Sequence, residues 1–478
     1  MKQTEEILRA YAEKFASQQE ELYQNAIPDA EAADWMLENI PLLRCPDPEI
    51  EEVYYFRWWT FRKHLVRTPE GWVITEFLPK VKWSGPYNAI VCPIGHHIRE
   101  ARWLRDKTIV RDDIRFYLRP ENEETALKYS NSLLAETCAL CLSEHDEAFA
   151  EEVLPALERL FVRWEQTHLT GHGLYWSCDD RDGMEYSVSG SGLRPTLNAY
   201  QYGAAAGLAE LCRMLGKPQA EAYAEKAEAL GANIRARLWD ERDGFFKTVP
   251  MATMDFAPDW LRGAASRNVK EEIGFIPFTY PGLTDRTQES AFRCLTDSDH
   301  FLAPWGITTA DMASPYFMKN PAHHECLWDG PVWPFATSQT LTALYTVLRD
   351  HESAYITPKD YMSLLRQYAS SHILEENRKT IRWIDEDQDP FTGRWIAREL
   401  IKLDHAYGIK APIERGGNYN HSTFCDLVLS GACGIAAGQP SVHPLADWKE
   451  FSVQNIRLSD RLYNITCTDG KADIRAVQ

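Results

Sequence analysis

The chain of 478 residues carries 51 Lys and Arg against 70 Asp and Glu, a formal net charge of −19. Hydrophobic residues make up 44% and charged residues 25%, the balance of a water-soluble globular protein with one large domain or two. So acidic a surface repels phosphate backbones and anionic headgroups, which argues against nucleic-acid and membrane partners, and no apolar run approaches the ~20 residues of a membrane span.

The N-terminal stretch MKQTEEILRAYAEKFASQQEEL reads as a polar amphipathic helix. It has no apolar core followed by a small-residue cleavage site, so no signal peptide is expected and the reading is cytoplasmic. Eleven cysteines are scattered singly through apolar stretches, and the one close pair, Cys138 and Cys141, lacks a second pair that would complete a zinc site. They read as reduced, mostly buried thiols, and neither a metal nor a cofactor is expected. Residues 1–122 form a mixed lead-in holding the first core helices. Within it Gly71–Pro79 alternates like a strand before a Trp/Gly/Pro-rich turn.

From Glu123 to Gly438 the pattern is paired helices joined by short turns. Val153, Leu157, Phe161 and Trp164 form one apolar stripe; Leu197, Tyr200, Ala204, Leu208, Leu211 and Leu215 form another. Pro195 suits the first turn of that second helix, and Gly216-Lys217-Pro218 separates it from a partner running to about Trp239. Further helical patterns cover Thr337–Arg349, Lys359–Ser371 and Thr423–Gly431. No fixed period recurs, which favours a closed helical barrel over an open solenoid. The long loops Thr170–Pro195 and Phe301–Pro334 are of the length that carries function. After Gly438 the helical periodicity stops, and residues 439–478 read as a small β appendage with a turn at Asp469-Gly470.

Two acidic motifs lie in glycine- and aromatic-rich loops. The first runs Asp182-Gly183-Met184-Glu185-Tyr186-Ser187, the second Trp383-Ile384-Asp385-Glu386-Asp387-Gln388-Asp389-Pro390-Phe391-Thr392-Gly393. Glycosidic cleavage needs one protonated and one ionised carboxyl group, and two acids so far apart in sequence meet only across a closed fold. The plainer readings are a cap or ion-pair role for each Glu, and a turn or partial calcium loop at Asp179–Gly183.

The motif order GMEYS, RPTLNAYQYG, LWDERDGFF, EEIGFIPF, PWGITT, LWDGPVWPF and ExxxPxTG resembles the (α/α)6-barrel glycoside hydrolases. It is most similar to the group of processing α-glucosidase I (family sixty-three), mannosylglycerate hydrolase and trehalase. That group carries its general acid in a Gly-Met/Leu-Asp motif and its base in Glu-Asn-Tyr-x-Pro-x-Thr-Gly. Matched residue by residue, the resemblance implies Glu185 as acid and Glu386 as base. Three departures stand out: Glu replaces Asp at the acid, Glu-Asp-Gln-Asp-Pro replaces the base motif, and Asp329-Gly330-Pro331-Val332-Trp333-Pro334 replaces an Arg-Gly-Pro-x-Trp-Pro sugar clamp.

Further residues suit a sugar site. Arg57 offers a hydrogen-bond fork, Trp58 and Trp83 stacking walls, and His97 and Glu100 an early sugar-contact helix. Arg194 and Asn198 follow the acid motif; Trp328, Asp329 and Trp333 stand in the clamp segment. Tyr419 and His421, after Glu414-Arg415-Gly416-Gly417, suit either a pocket wall or a loop ending in a helix cap at Ser422 or Thr423. His323-His324-Glu325 reads as a hydrogen-bonded loop more readily than as metal ligands. The expectation is an all-α barrel enzyme, exo-acting and inverting, that hydrolyses an α-linked glycoside. A sugar epimerase using His96, His97, His324 and His421, and a carbohydrate-binding protein without catalysis, are the rival readings.

Overall fold

The structure, a computed structural model, describes residues 2–257, 267–376, 378–409 and 415–477. Among these residues thirteen α-helices follow in chain order: α1 (Lys2–Gln18), α2 (Ala32–Asn39), α3 (Pro48–Phe61), α4 (Ile94–Ala101), α5 (Thr108–Leu118), α6 (Glu123–Ala126), α7 (Leu133–Glu144), α8 (Glu147–His168), α9 (Pro195–Met214), α10 (Ala220–Leu238), α11 (Pro334–Asp350), α12 (Pro358–Ser370) and α13 (Ile396–Ala406). The fold is an (α/α)6 barrel. Its inner layer consists of α4, α7, α9, the 3-10 segment Glu272–Thr279, α11 and the stretch ending in the π-helical turn Leu427–Ala432, each packed beside the next.

The two layers differ in how their sequences distribute polarity. The outer helix α8 carries the expected stripe, with Val153, Leu157, Phe161 and Trp164 buried and the opposite face in water. The inner helix α11 is buried on every face from Pro334 to Val347, so its Thr, Ser and Gln side chains must find partners inside the ring. Gln339 donates to the Tyr200 hydroxyl of α9 at 2.6 Å, Thr340 donates to Glu272, and Ser338 donates to the carbonyl of Thr423 at 2.9 Å. On α4, Arg99 bridges Glu136 of α7 (2.7 Å) and the Tyr345 hydroxyl of α11 (2.9 Å). These polar ties link the inner helices across the ring.

The ring closes where α4 meets the last inner segment. The Glu100 carboxylate accepts hydrogen bonds from the backbone N–H groups of Phe424, Cys425 and Asp426 at 2.7, 3.0 and 2.7 Å. A carboxylate there satisfies donors that a helical start leaves unpaired, and it meets the positive end of the helix dipole. Arg102 and Trp103 then donate to Asp426.

The strand expected at Gly71–Pro79 is shorter than its alternation suggested. Gly71–Ile74 pairs with Leu65–Thr68 in a hairpin, after which Thr75 bonds back to His64 and the chain turns toward the mouth. The tail forms three antiparallel strands, Glu450–Leu458, Arg461–Thr468 and Lys471–Ala476. Asp469 and Gly470 take positive φ (47° and 75°) at its last turn, the geometry of a tight hairpin. The first of these strands also pairs with Leu42–Arg44, so the tail holds the lead-in by backbone hydrogen bonds.

Deleting residues 450–477 would strip the partner from Leu42–Arg44 and expose Leu42 and Leu43. We expect the melting temperature to fall by about 5 °C or more, followed by circular dichroism. An unchanged melting temperature would make the tail a passive appendage.

Candidate active site

The two acidic loops are fixed by the same device, a buried arginine–aspartate pair. In the first loop Arg194, fully buried, donates from Nε to Asp182 at 2.6 Å. Its other nitrogens reach the Ser187 hydroxyl (2.9 Å), the Gly190 carbonyl (2.6 Å) and the Met184 sulfur (3.5 Å). One guanidinium therefore grips both sides of Glu185. Asp182 also accepts from the Ser130 hydroxyl, so its carboxylate is engaged by protein donors rather than open as a calcium ligand. Gly183 sits at φ 71° with Cys92 against it, where a side chain would collide.

In the second loop Arg398 donates to Asp385 at 2.7 Å, Trp383 donates to the same oxygen at 3.0 Å, and the second oxygen accepts from the N–H of Glu386. Gly416 is required beside it, since a Cβ there would run into the Asp385 carboxylate. Asp387 accepts from the N–H of Ala397 at the start of α13. Asp389 holds the Pro390–Gly393 turn through the N–H groups of Phe391 and Thr392.

Both loops deliver their glutamates to one cavity of about 540 Å³ at the mouth formed by the inner helices' N-terminal ends. Glu185 and Glu386 line it together with Glu76, Glu325, Arg415 and a set of aromatic side chains. Trp328 and Trp333 stack at 4.6 Å on its wall, and Tyr419 packs on His421 at 3.8 Å. Arg415 pairs with Glu386 (3.1 Å) and Glu325 (3.4 Å), and lies over the Phe77 and Trp83 rings. The Cys326 thiol donates to Glu185, and Tyr419 donates to Glu76.

Burial dominates the electrostatics here. It pushes Glu386 up to about 7 against the downward pull of Arg415, with Asp385, Glu325 and Glu185 adding upward pushes. It also raises Glu185, opposed by the Cys326 hydrogen bond. Glu76 rises to about 8, from burial first and despite the Tyr419 hydrogen bond. His97 falls to about 4 and His421 well below the ordinary range, again because burial disfavours the charged ring.

Of the residues expected to bind sugar, Trp83, Trp328, Trp333, Tyr419 and His421 line the cavity. The others are engaged elsewhere. Trp58 is packed in the core against Tyr54 and Phe61, its neighbours one helical turn away on α3. Arg57 donates to Tyr368 and to Ser422, and Glu100 closes the ring. His97 donates to the Asn420 carbonyl (2.8 Å), anchoring the segment that bears Tyr419 and His421. Asn198 fastens Tyr175 through two hydrogen bonds, and Asp329 accepts from the N–H of Asn320. His323 bonds Asp404 and His324 bonds Cys326, the loop role expected for them. Glu414 lies outside the described residues.

Sequence reasoning passed over Glu76, Cys326 and the ion-pairing of Arg415. Glu76 sat inside an apparent strand. Arg415 carried a signal, in the Glu-Arg-Gly-Gly run of a polar loop.

The family model for the mannosylglycerate hydrolase MGH1-like glycoside hydrolase domain matches residues 86–422. The chain belongs to that family. A solved sialidase structure is 32% identical with a TM-score of 0.87, covering 99% of this chain and 43% of that one, so this chain spans less than half of that relative. The same fold recurs in the GH63 mannosylglycerate hydrolase from Thermus thermophilus in complex with glucose, at 14% identity and TM-score 0.53 over 73% of this chain and 99% of that one. It recurs again in the GH78 rhamnosidase of Bacillus sp. GL1, at 13% identity and TM-score 0.55 over 91% and 41%. No curated protein matches the chain significantly. Among the described residues of this family member, no helix is long and apolar enough to cross a membrane.

The Arg194 clamp gives a direct test. Arg194→Ala would leave Asp182 charged and uncompensated in a fully buried site, a change that costs on the order of 3–5 kcal/mol. Urea denaturation should show that loss, and Arg194→Lys should recover only part of it because one ammonium cannot replace a four-way fork.

Proposed function

We propose that the chain is an inverting, exo-acting glycoside hydrolase that cleaves an α-linked glycoside, with Glu185 as general acid and Glu386 as general base. The observation that carries this reading is that the two glutamates, from loops far apart in the sequence, line one aromatic-walled cavity. Family membership supports the hydrolytic class.

The division of labour follows from what touches each carboxyl group. Glu386 faces the Arg415 guanidinium, which favours its ionised form and suits it to take a proton from water. Glu185 has no cation at hydrogen-bond distance among the described residues; it accepts a hydrogen bond from the Cys326 thiol, and burial raises it, the direction that suits a proton donor to the leaving oxygen. With no covalent intermediate, water attacks the anomeric carbon directly and its configuration inverts.

A panel of aryl glycosides of α-mannose, α-glucose, α-rhamnose and N-acetylneuraminic acid, with matching β-anomers where they exist, would identify the glycone. Glu185→Gln and Glu386→Gln should each lose at least ~100-fold in kcat, since each removes a proton-transfer group. Proton NMR of an early time course should show an α-glycoside giving the β-anomer first. Retention would displace Glu386 from the role of base.

The pH profile supplies a further check. Glu386 must be ionised to act, so kcat/KM should show an acidic limb that rises as that group titrates near 7. Arg415→Met removes the charge that pulls Glu386 down, so the acidic limb should move to higher pH. A limb that stays in place would mean that another group sets it.

A further inference from the structure

The aromatic side chains of the site divide by depth. On the cavity wall Trp328, Trp333, Phe335 and Tyr419 are 3%, 2%, 5% and 6% exposed. Toward the surface Trp83 is 39% and Tyr186 43% exposed. The buried set encloses the place where a glycone would be held, and the exposed set stands where the remainder of a substrate would emerge.

Tyr186 has a more specific position. It directly follows Glu185 in the chain, and a general acid donates its proton to the leaving-group oxygen, so its neighbours surround the leaving group. Its backbone is left-handed at φ 62°, a conformation that bulky residues rarely adopt. Its ring packs on His324 at 5.4 Å, and His324 lines the cavity. Trp83, also on the lining, is held edge-on by Phe77 at 5.7 Å. A cavity of about 540 Å³ is of drug-ligand size and has room for more than one pyranose. The flat, partly wet faces of Tyr186 and Trp83 match the C–H face of a second ring.

We propose that Tyr186, backed by His324, and Trp83 form a leaving-group subsite, and that the substrate carries a ring there, as the next sugar of an oligosaccharide does, rather than a small acyclic group. This rests on the assignment of Glu185 as acid. Lys80 and Lys82 line the same cavity and supply hydrogen-bond donors for the hydroxyls of such a ring.

The test uses two glycosides of the glycone that the panel selects, one with a methyl and one with a cyclohexylmethyl aglycone. Both leave as primary alcohols, and comparing each variant with wild type on the same compound cancels what difference in reactivity remains. Tyr186→Ala and Trp83→Ala should lower kcat/KM on the cyclohexylmethyl glycoside on the order of tenfold more than on the methyl glycoside, mainly through KM. Tyr186→Phe, which keeps the ring, should recover most of the loss. Equal losses on both compounds would overturn the subsite. So would a loss confined to Lys80→Ala and Lys82→Ala, which would assign the position to a charged group. Failure of the wild-type enzyme to hydrolyse either compound would instead overturn the hydrolase reading of Glu185 and Glu386, and the subsite with it.

Discussion

A ring of helices holds a site at its mouth only if the ring is closed, and here closure depends on one buried carboxylate. Glu100, on the first inner helix, accepts three backbone N–H bonds from Phe424, Cys425 and Asp426 on the last. Those N–H groups have no partner within their own helix, so the bond answers a need that hydrophobic packing cannot meet. Burial and the neighbouring Asp426 push Glu100 up to about 7, while Arg57 and the N–H donors pull it back. Arg57 in turn binds Ser422, just before the capped segment. The residues that resembled sugar contacts on α3 and α4 thus join the barrel's two ends, and the position of Tyr419 and His421 follows from that joint.

On this closed frame the two glutamates are aimed by neighbours that resist displacement. Asp182 precedes Glu185 by three residues and Asp385 precedes Glu386 by one, and each is buried on an arginine. Such pairs add little net stability, because desolvating both charges offsets their attraction. They do make alternative loop conformations expensive, since any movement separates charges in a dry interior. Placing an arginine on the aspartate also keeps it off the adjacent glutamate in the first loop. Burial then raises Glu185 beside a cluster of other carboxyl groups.

The barrel was legible because most of its helices are amphipathic. The 3.6-residue stripes of α8 and α9, the proline at the first turn of α9 and the Gly216-Lys217-Pro218 break mark real boundaries. Where burial is all-round the pattern vanishes: Glu272–Thr279, an inner segment reading EIGFIPFT, has no polar face and adopts a 3-10 course around Pro277. The same loss of periodicity accounts for Trp58, whose aromatic-rich helix α3 is buried from Val53 to Phe61. A Trp in such a run is set by its helical neighbours, not by a ligand. Glu76 was hidden for the opposite reason, since alternation continued in the sequence after pairing had stopped at Ile74. The long loops Thr170–Pro195 and Phe301–Pro334 did contain cavity residues, because only chain free of regular structure can bend inward over a barrel mouth.

The remaining question is how four glutamates share one cavity without mutual repulsion dismantling it. Glu76, Glu185, Glu325 and Glu386 all line it, and Arg415 touches two of them. Four full negative charges so close together in low dielectric would repel strongly, which favours retained protons. Burial supplies them: Glu76 titrates near 8 and is held by Tyr419, and Glu185 is raised as well. Arg415 pairs with Glu325 and Glu386 and pulls Glu386 down against the burial that raises it. Glu185 has no such ion pair among the described residues, so the two glutamates meet different surroundings, a difference that arises from an arginine whose next residue, Gly416, has no side chain to collide with Asp385.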